Sequence, residues 1–165
     1  MASLLRVIEA MTNEILKTYS FCIECNQVNR VPLEAPEGKA PVCGKCHAAL
    51  HFHEGMTALN STGIAALSGK IDLPLVVDFW ASWCRPCHVF APTFKQAAHV
   101  LAGKAVFAKV NVEANPLAGD HYNIQGIPAL LILKNGEEVA RQSGALPLES
   151  FLQWVNGVIG IKNAA

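Results

Sequence analysis

The chain has 165 residues, 52% of them hydrophobic, with 13 Lys and Arg set against 13 Asp and Glu. That length and apolar content suit one ordinary domain with a small appendix, and a net charge of zero argues against a protein that binds nucleic acid through a broad basic surface. No apolar run is long enough to span a bilayer, and the six cysteines fall as three C-x-x-C pairs, the arithmetic of metal and redox sites rather than of a secreted disulfide framework.

Residues 1–21 carry Arg6, Glu9, Glu14 and Lys17 among their apolar residues, unlike the basic and then purely apolar regions of a secretory signal. Leu4, Ile8, Met11 and Ile15 recur at alternating spacings of four and three, the pattern of a short amphipathic helix. The segment is therefore expected as a helical N-terminal extension.

Residues 22–54 read as a first module. Cys22-Ile23-Glu24-Cys25 and Cys43-Gly44-Lys45-Cys46 are separated by residues 26–42, a spacing inside the window for a four-cysteine structural zinc site. Four thiolates suit tetrahedral Zn2+, and each C-x-x-C forms a knuckle that turns two sulfurs onto one ion. The intervening segment holds Pro32, Pro36, Gly38 and Pro41 and too few apolar residues for a core, so folding should be coupled to binding of one structural zinc per chain. An iron–sulfur site and regulatory disulfides are the alternatives. His47, His51 and His53 follow, and because four cysteines already close a tetrahedral site they read as surface histidines. Cys43–His47 and Cys84–His88 also match the C-x-x-C-H pattern of covalent haem attachment, but the first is accounted for by its partner pair, and no export signal is expected.

Residues 55–165 form a longer second module in which short apolar strands alternate with helical patterns. Met56–Leu59 is predicted as a strand, Ile64–Leu67 as a short helix and Leu75–Trp80 as a buried strand, followed by a helix from about Cys84 to Leu101, bent near Pro92. Ala105–Val112 reads as a strand, Pro116–Tyr122 as a short helix and Ala129–Leu133 as a strand, with the Asn135-Gly136 turn folding Glu138–Gln142 back antiparallel to it. Leu148–Ile159 closes the chain as an amphipathic helix. The order β-α-β-α-β-α-β-β-α predicts an α/β fold, a mixed central sheet with helices on both faces.

Chemistry concentrates at Trp83-Cys84-Arg85-Pro86-Cys87, where the buried strand delivers two cysteines to a helix start. Cys84 would sit among unpaired backbone N–H groups at the positive end of the helix dipole, which favour its thiolate. Cys87 lies one turn on, within disulfide reach, and Pro86 fits because a first-turn N–H has no helical partner to lose. The spacing permits a reversible dithiol/disulfide couple. Asp78, inside the apolar strand, should have its pKa raised by burial; taken alone, it could equally be a strand-end residue that satisfies backbone groups.

Val77-Asp78-Phe79-Trp80-Ala81-Ser82-Trp83-Cys84-Arg85-Pro86-Cys87, Lys109-Val110-Asn111-Val112-Glu113, Gly126-Ile127-Pro128 and Lys134-Asn135-Gly136-Glu137 together resemble the thioredoxin family over residues 56–160. With the four-cysteine ribbon in front, the chain from Cys22 onward is similar to the bacterial thioredoxins that carry an N-terminal zinc domain. The resemblance implies a thioredoxin fold, Cys84 as the exposed nucleophile that attacks a substrate disulfide, and Cys87 as the resolving thiol. It implies that Asp78 exchanges a proton with Cys87 through water, that Lys109 is the matching buried cation, and that Ile127–Pro128 is a cis bond facing the disulfide. Trp83, Arg85, Pro86, Gly126, Ile127, Pro128, Gly144 and Ala145 would contact substrate. Arg85 stands where the family usually has glycine and His88 where lysine or arginine is common; the Arg85 charge should favour the Cys84 thiolate and make the couple more oxidising, unless its side chain swings into solvent. The implied protein is a cytoplasmic, monomeric protein-disulfide reductase with no organic cofactor, recycled by a flavin-containing thioredoxin reductase that draws on NADPH. A disulfide isomerase or oxidant, and a redox-sensing zinc-dependent binding protein, are the competing readings.

Overall fold

The computed structural model describes residues 16–34 and 38–160. Its strands are β1 (Lys17–Phe21), β2 (Val28–Pro32), β3 (Phe52–His53), β4 (Met56–Ala58), β5 (Leu75–Trp80), β6 (Val106–Asn111), β7 (Ala129–Lys134) and β8 (Glu137–Ser143). The helices are α1 (Gly63–Lys70), α2 (Arg85–Val100), α3 (Pro116–His121) and α4 (Leu148–Ile159).

Six strands form one mixed sheet in the order β3-β4-β6-β5-β7-β8. β4, β6 and β5 run parallel, whereas β7 is antiparallel to β5, and β8 to β7. Asn135 and Gly136, at φ 52° and 82°, make the tight turn between β7 and β8 that only residues tolerant of the left-handed region accept readily. Because side chains alternate along a strand, Val77, Phe79, Ala108, Val110 and Leu131 meet α1 and α3 on one face. Val76, Phe107, Leu130 and Ile132 meet α2 and α4 on the other, where Phe90, Phe94, Phe107 and Phe151 form an aromatic cluster. α2 runs as a single helix through Pro92.

The first module departs from expectation in two places. Lys17–Phe21 falls in the segment expected to be a helical extension, and Val28–Pro32 in the segment for which no strand was expected, yet the two pair as an antiparallel hairpin with Phe21 opposite Val28. Thr18, Tyr19, Phe21, Val28 and Val31 are the β-branched and aromatic types that favour a pleated surface, and they are too few on each strand to announce a period. The helix expected over Leu4–Ile15 lies outside the described residues.

The hairpin is also joined to the second module. Phe21 is fully buried in the same core as Leu59, Ile64 and Leu67. Its N–H donates to Thr57 Oγ1 at 3.0 Å, and Ser20 Oγ shares a 3.1 Å hydrogen bond with the same hydroxyl. β3 then pairs directly with β4, so the main sheet begins at Phe52, inside the ribbon module.

Candidate active site and metal centre

β5 and α2 position the redox pair. Cys84 is the N-cap of α2, with extended backbone, and its Sγ accepts a 3.2 Å hydrogen bond from the Cys87 N–H. Arg85 and Pro86 occupy the first turn, where a missing N–H costs nothing. Cys84 and Cys87 are joined as a disulfide with a Cα separation of 5.3 Å. The nucleophile expected to be exposed is buried in this oxidised form: Cys84 shows 4% of its surface, against 2% for Cys87. Ala81, Trp80, Val112 and Ile127 pack against the two cysteines.

The substrate-facing candidates converge on this point. The Ile127–Pro128 bond is cis, and the Ile127 carbonyl oxygen lies 3.7 Å from Cys84 Sγ. Trp83, Gly126 and Ile127 line an apolar cleft of about 410 Å³, joined there by Val112, Gly119, Ile124 and Gln125, which the sequence reading had not singled out. Val112 directly follows β6 and Ile124 follows α3, so their apolar character was visible but only the fold brings them to the cleft. Trp83 is 69% exposed. Gly144 donates its N–H to the Pro128 carbonyl at 2.9 Å, which places Gly144 and Ala145 beside the cis bond. Arg85 and Pro86 are exposed on the outer side of the helix start, and Arg85 forms no ion pair among the described residues.

On β5, the strand that leads to the disulfide, Asp78 is fully buried, and neither of its carboxylate oxygens has a hydrogen-bond partner among the described residues. Burial pushes its carboxyl up from 3.8 to about 7, against a smaller opposing pull from Lys109. Lys109 is its register partner on β6, and the Lys109 Nζ sits 4.7 Å from the Trp80 ring centroid. Lys109 is half-buried rather than buried: Ala58 of β4 pairs with it in register, but its side chain opens into a cavity lined also by His51, His53 and Trp80. His88, one residue beyond the pair, packs edge-on to Trp80 and bonds the Ser82 carbonyl at 2.7 Å, while Ser82 Oγ donates to Glu113 at 2.8 Å. This bracket fixes the Ser82-Trp83 turn.

The other four cysteines gather in the ribbon. All four sulfurs of Cys22, Cys25, Cys43 and Cys46 lie within 4.8 Å of one another, with Cys22–Cys46 and Cys25–Cys43 at 3.6 Å. A tetrahedral zinc–thiolate site with Zn–S of about 2.3 Å has sulfurs about 3.8 Å apart, so the set is placed to hold such an ion. Two matching knuckles create it: Asn26 and His47, each directly after the second cysteine of its pair, take left-handed φ values of 63° and 62° and donate N–H to the carbonyls of Cys22 and Cys43. His47 therefore serves the turn, and His51 and His53 are exposed outside the sulfur cluster. The N–H groups of Cys46 and Lys45 pull the Cys43 thiol down to about 6, whereas burial pushes Cys25 up to about 12. Four thiolates this close require a cation to ionise together.

A family model described as thioredoxin matches residues 65–157, more than half of the chain. Thioredoxin C-3 of Corynebacterium nephridii is 40% identical over 135 residues, 82% of this chain and 91% of that protein. Thioredoxin of Rhodospirillum rubrum is 41% identical over 90 residues, 54% of this chain and 86% of its own length, and thioredoxin 1 of Chlorobaculum tepidum is 42% identical over 89 residues, 54% and 88% respectively. No helix among the described residues is long and apolar enough to cross a membrane.

Proposed function

The chain belongs to the thioredoxin family, and from that premise we propose that it reduces protein disulfides through Cys84 and Cys87 and is returned to the dithiol form by thioredoxin reductase with NADPH. The observation that carries this reading is Cys84 Sγ at the start of α2, bonded to Cys87 and 3.7 Å from the carbonyl oxygen of Ile127, which itself lines an apolar cleft with Trp83.

In the reduced protein the Cys84 thiolate, favoured by the helix N-terminus, attacks one sulfur of a substrate disulfide. A mixed disulfide forms and the substrate's other sulfur leaves as a thiolate. An extended substrate segment laid along the cleft can use the Ile127 backbone and the Trp83 ring. Cys87 is the resolving thiol: its proton passes to the Asp78 carboxylate, by way of water, and the thiolate attacks Cys84 Sγ. The Cys84–Cys87 disulfide forms, the substrate leaves with both sulfurs reduced, and two electrons have moved from the protein to the substrate. A carboxyl with a pKa of about 7 is matched to accept and return that proton near neutral pH. Lys109 limits how far burial raises it.

Cys22, Cys25, Cys43 and Cys46 would hold one structural zinc, whose binding contributes folding energy to the ribbon. The protein acts as a monomer in the cytoplasm, a setting that suits a dithiol kept reduced. Trapping tests the division of labour between the thiols. Cys87→Ser should accumulate a covalent adduct with a disulfide-containing protein through Cys84, seen by mass spectrometry; adducts formed equally by Cys84→Ser would overturn it.

A further inference from the structure

A second cavity, of about 430 Å³, lies where the ribbon meets the main sheet. Ile23 of the first knuckle, His51 and His53 form one side of it; Ala58, Trp80 and Lys109 form another. Its volume is that of an ordinary binding site. Among the described residues, none that lines it is acidic and Lys109 makes no ion pair, its ammonium resting on the Trp80 ring instead. The two imidazoles add hydrogen-bond donors. Apolar walls with a lone ammonium and no carboxylate complement an apolar group that carries, or stands next to, a negative charge.

The cavity also adjoins the redox cleft. Trp80 both lines the cavity and packs against Cys84 and Cys87. Relatives such as those of R. rubrum and C. tepidum match only about half of this chain while being matched over 86% and 88% of their own lengths, which leaves them no room for a ribbon of this size. The wall made by Ile23, His51 and His53 is thus a feature this chain adds to the common domain.

We infer that this cavity is a second substrate subsite, which selects disulfide proteins carrying an apolar side chain next to a carboxylate a few residues from the reacting cysteine. The inference rests on the disulfide-reductase reading and names the substrate class of that site. An extended segment advances about 3.3 Å per residue, so a few residues carry the chain from Cys84 past Trp80, which touches both, toward the cavity. Ribbon and redox domain together then read one peptide.

Three synthetic peptides test this, each bearing one cysteine as a mixed disulfide with 2-nitro-5-thiobenzoate and flanked three to six residues away on both sides by Leu-Glu, Leu-Lys or Ser-Gly pairs. Release of the coloured thiolate by the full-length, metal-loaded protein, returned to its dithiol form after each turnover by thioredoxin reductase and NADPH, gives KM and kcat for each. The expected result is a KM about fivefold lower for the Leu-Glu peptide than for the other two, with similar kcat. Ala58→Phe, which fills the cavity, and His51→Glu, an exposed change that sets a carboxylate against the Lys109 ammonium and cancels its charge preference, should each bring the KM ratio to about one. Equal KM values for the three peptides in the wild type, or a preference kept in both variants, would overturn the subsite. If no peptide is cleaved at all, the reductase reading itself fails, a distinct outcome.

Discussion

Asp78 and Lys109 are register partners on the parallel strands β5 and β6, the carboxylate fully buried without a hydrogen bond from any described residue and the ammonium stacked on Trp80. A charge held this way is costly, and the cost has a pH signature. Burial raises the folded-state pKa to about 7 from 3.8, so between those values the folded protein keeps a proton that the unfolded chain releases. Stability therefore falls as pH rises through this window, and the full penalty is present above pH 7. Asp78→Asn should stabilise the protein by roughly 2–4 kcal/mol at pH 8 and leave it nearly unchanged near pH 3 in denaturant titrations. The same variant should slow resolution of a mixed disulfide at pH 7 by at least about tenfold in stopped-flow experiments. A variant with unaltered resolution would remove the proton-transfer role.

Metal removal should disturb more than the ribbon. Phe21 lies one residue before Cys22 and is buried in the core of the redox domain, so loosening the knuckles loosens that plug. Metal analysis should return about one zinc per chain, and chelation under reducing conditions should lower the melting temperature and increase hydrogen exchange at Thr57 and Leu59 as well as in the ribbon.

Phe21 can be probed alone. Phe21→Ala should cost about 3–5 kcal/mol, the range for deleting a large buried aromatic side chain. Gly63 forms the opposing surface: a Cβ there would stand 3.1 Å from two Phe21 ring carbons and 3.2 Å from Leu59 Cβ, so Gly63→Ala should cost about 1–3 kcal/mol despite its better helix propensity. Paired with Phe21→Ala, that penalty should largely disappear, as a double-mutant cycle would show.

Arg85 occupies an exposed first-turn position beside Cys84. Its charge favours the thiolate and hence the reduced form. Arg85→Gly should shift the potential by about 10–20 mV toward a stronger reductant, measured by equilibration with glutathione, a small change because the side chain is solvated.

Much of this was legible in the sequence. Leu75–Trp80 is so apolar around Asp78 that both the central strand and the perturbed carboxyl could be read from it, and the spacings within each C-x-x-C pair carried the redox and sulfur-cluster geometry. What escaped was long-range. Nothing in Lys17–Phe21 says that a five-residue strand pairs with Val28–Pro32 or that Phe21 belongs to a core formed around residues 59–67. Val112 and Ile124 reach the cleft only through the turn after β6 and the end of α3. The resemblance implied that Lys109 is buried; its half-exposure follows from the cavity its side chain faces between ribbon and sheet, which only the fold creates.

The most direct measurement is NADPH consumption when the reduced protein turns over insulin disulfides in the presence of thioredoxin reductase. The account predicts steady oxidation of NADPH that depends on this chain, is abolished in Cys84→Ser and persists in His47→Ala. Oxidation that continues in Cys84→Ser, or none with the wild-type chain, would contradict it.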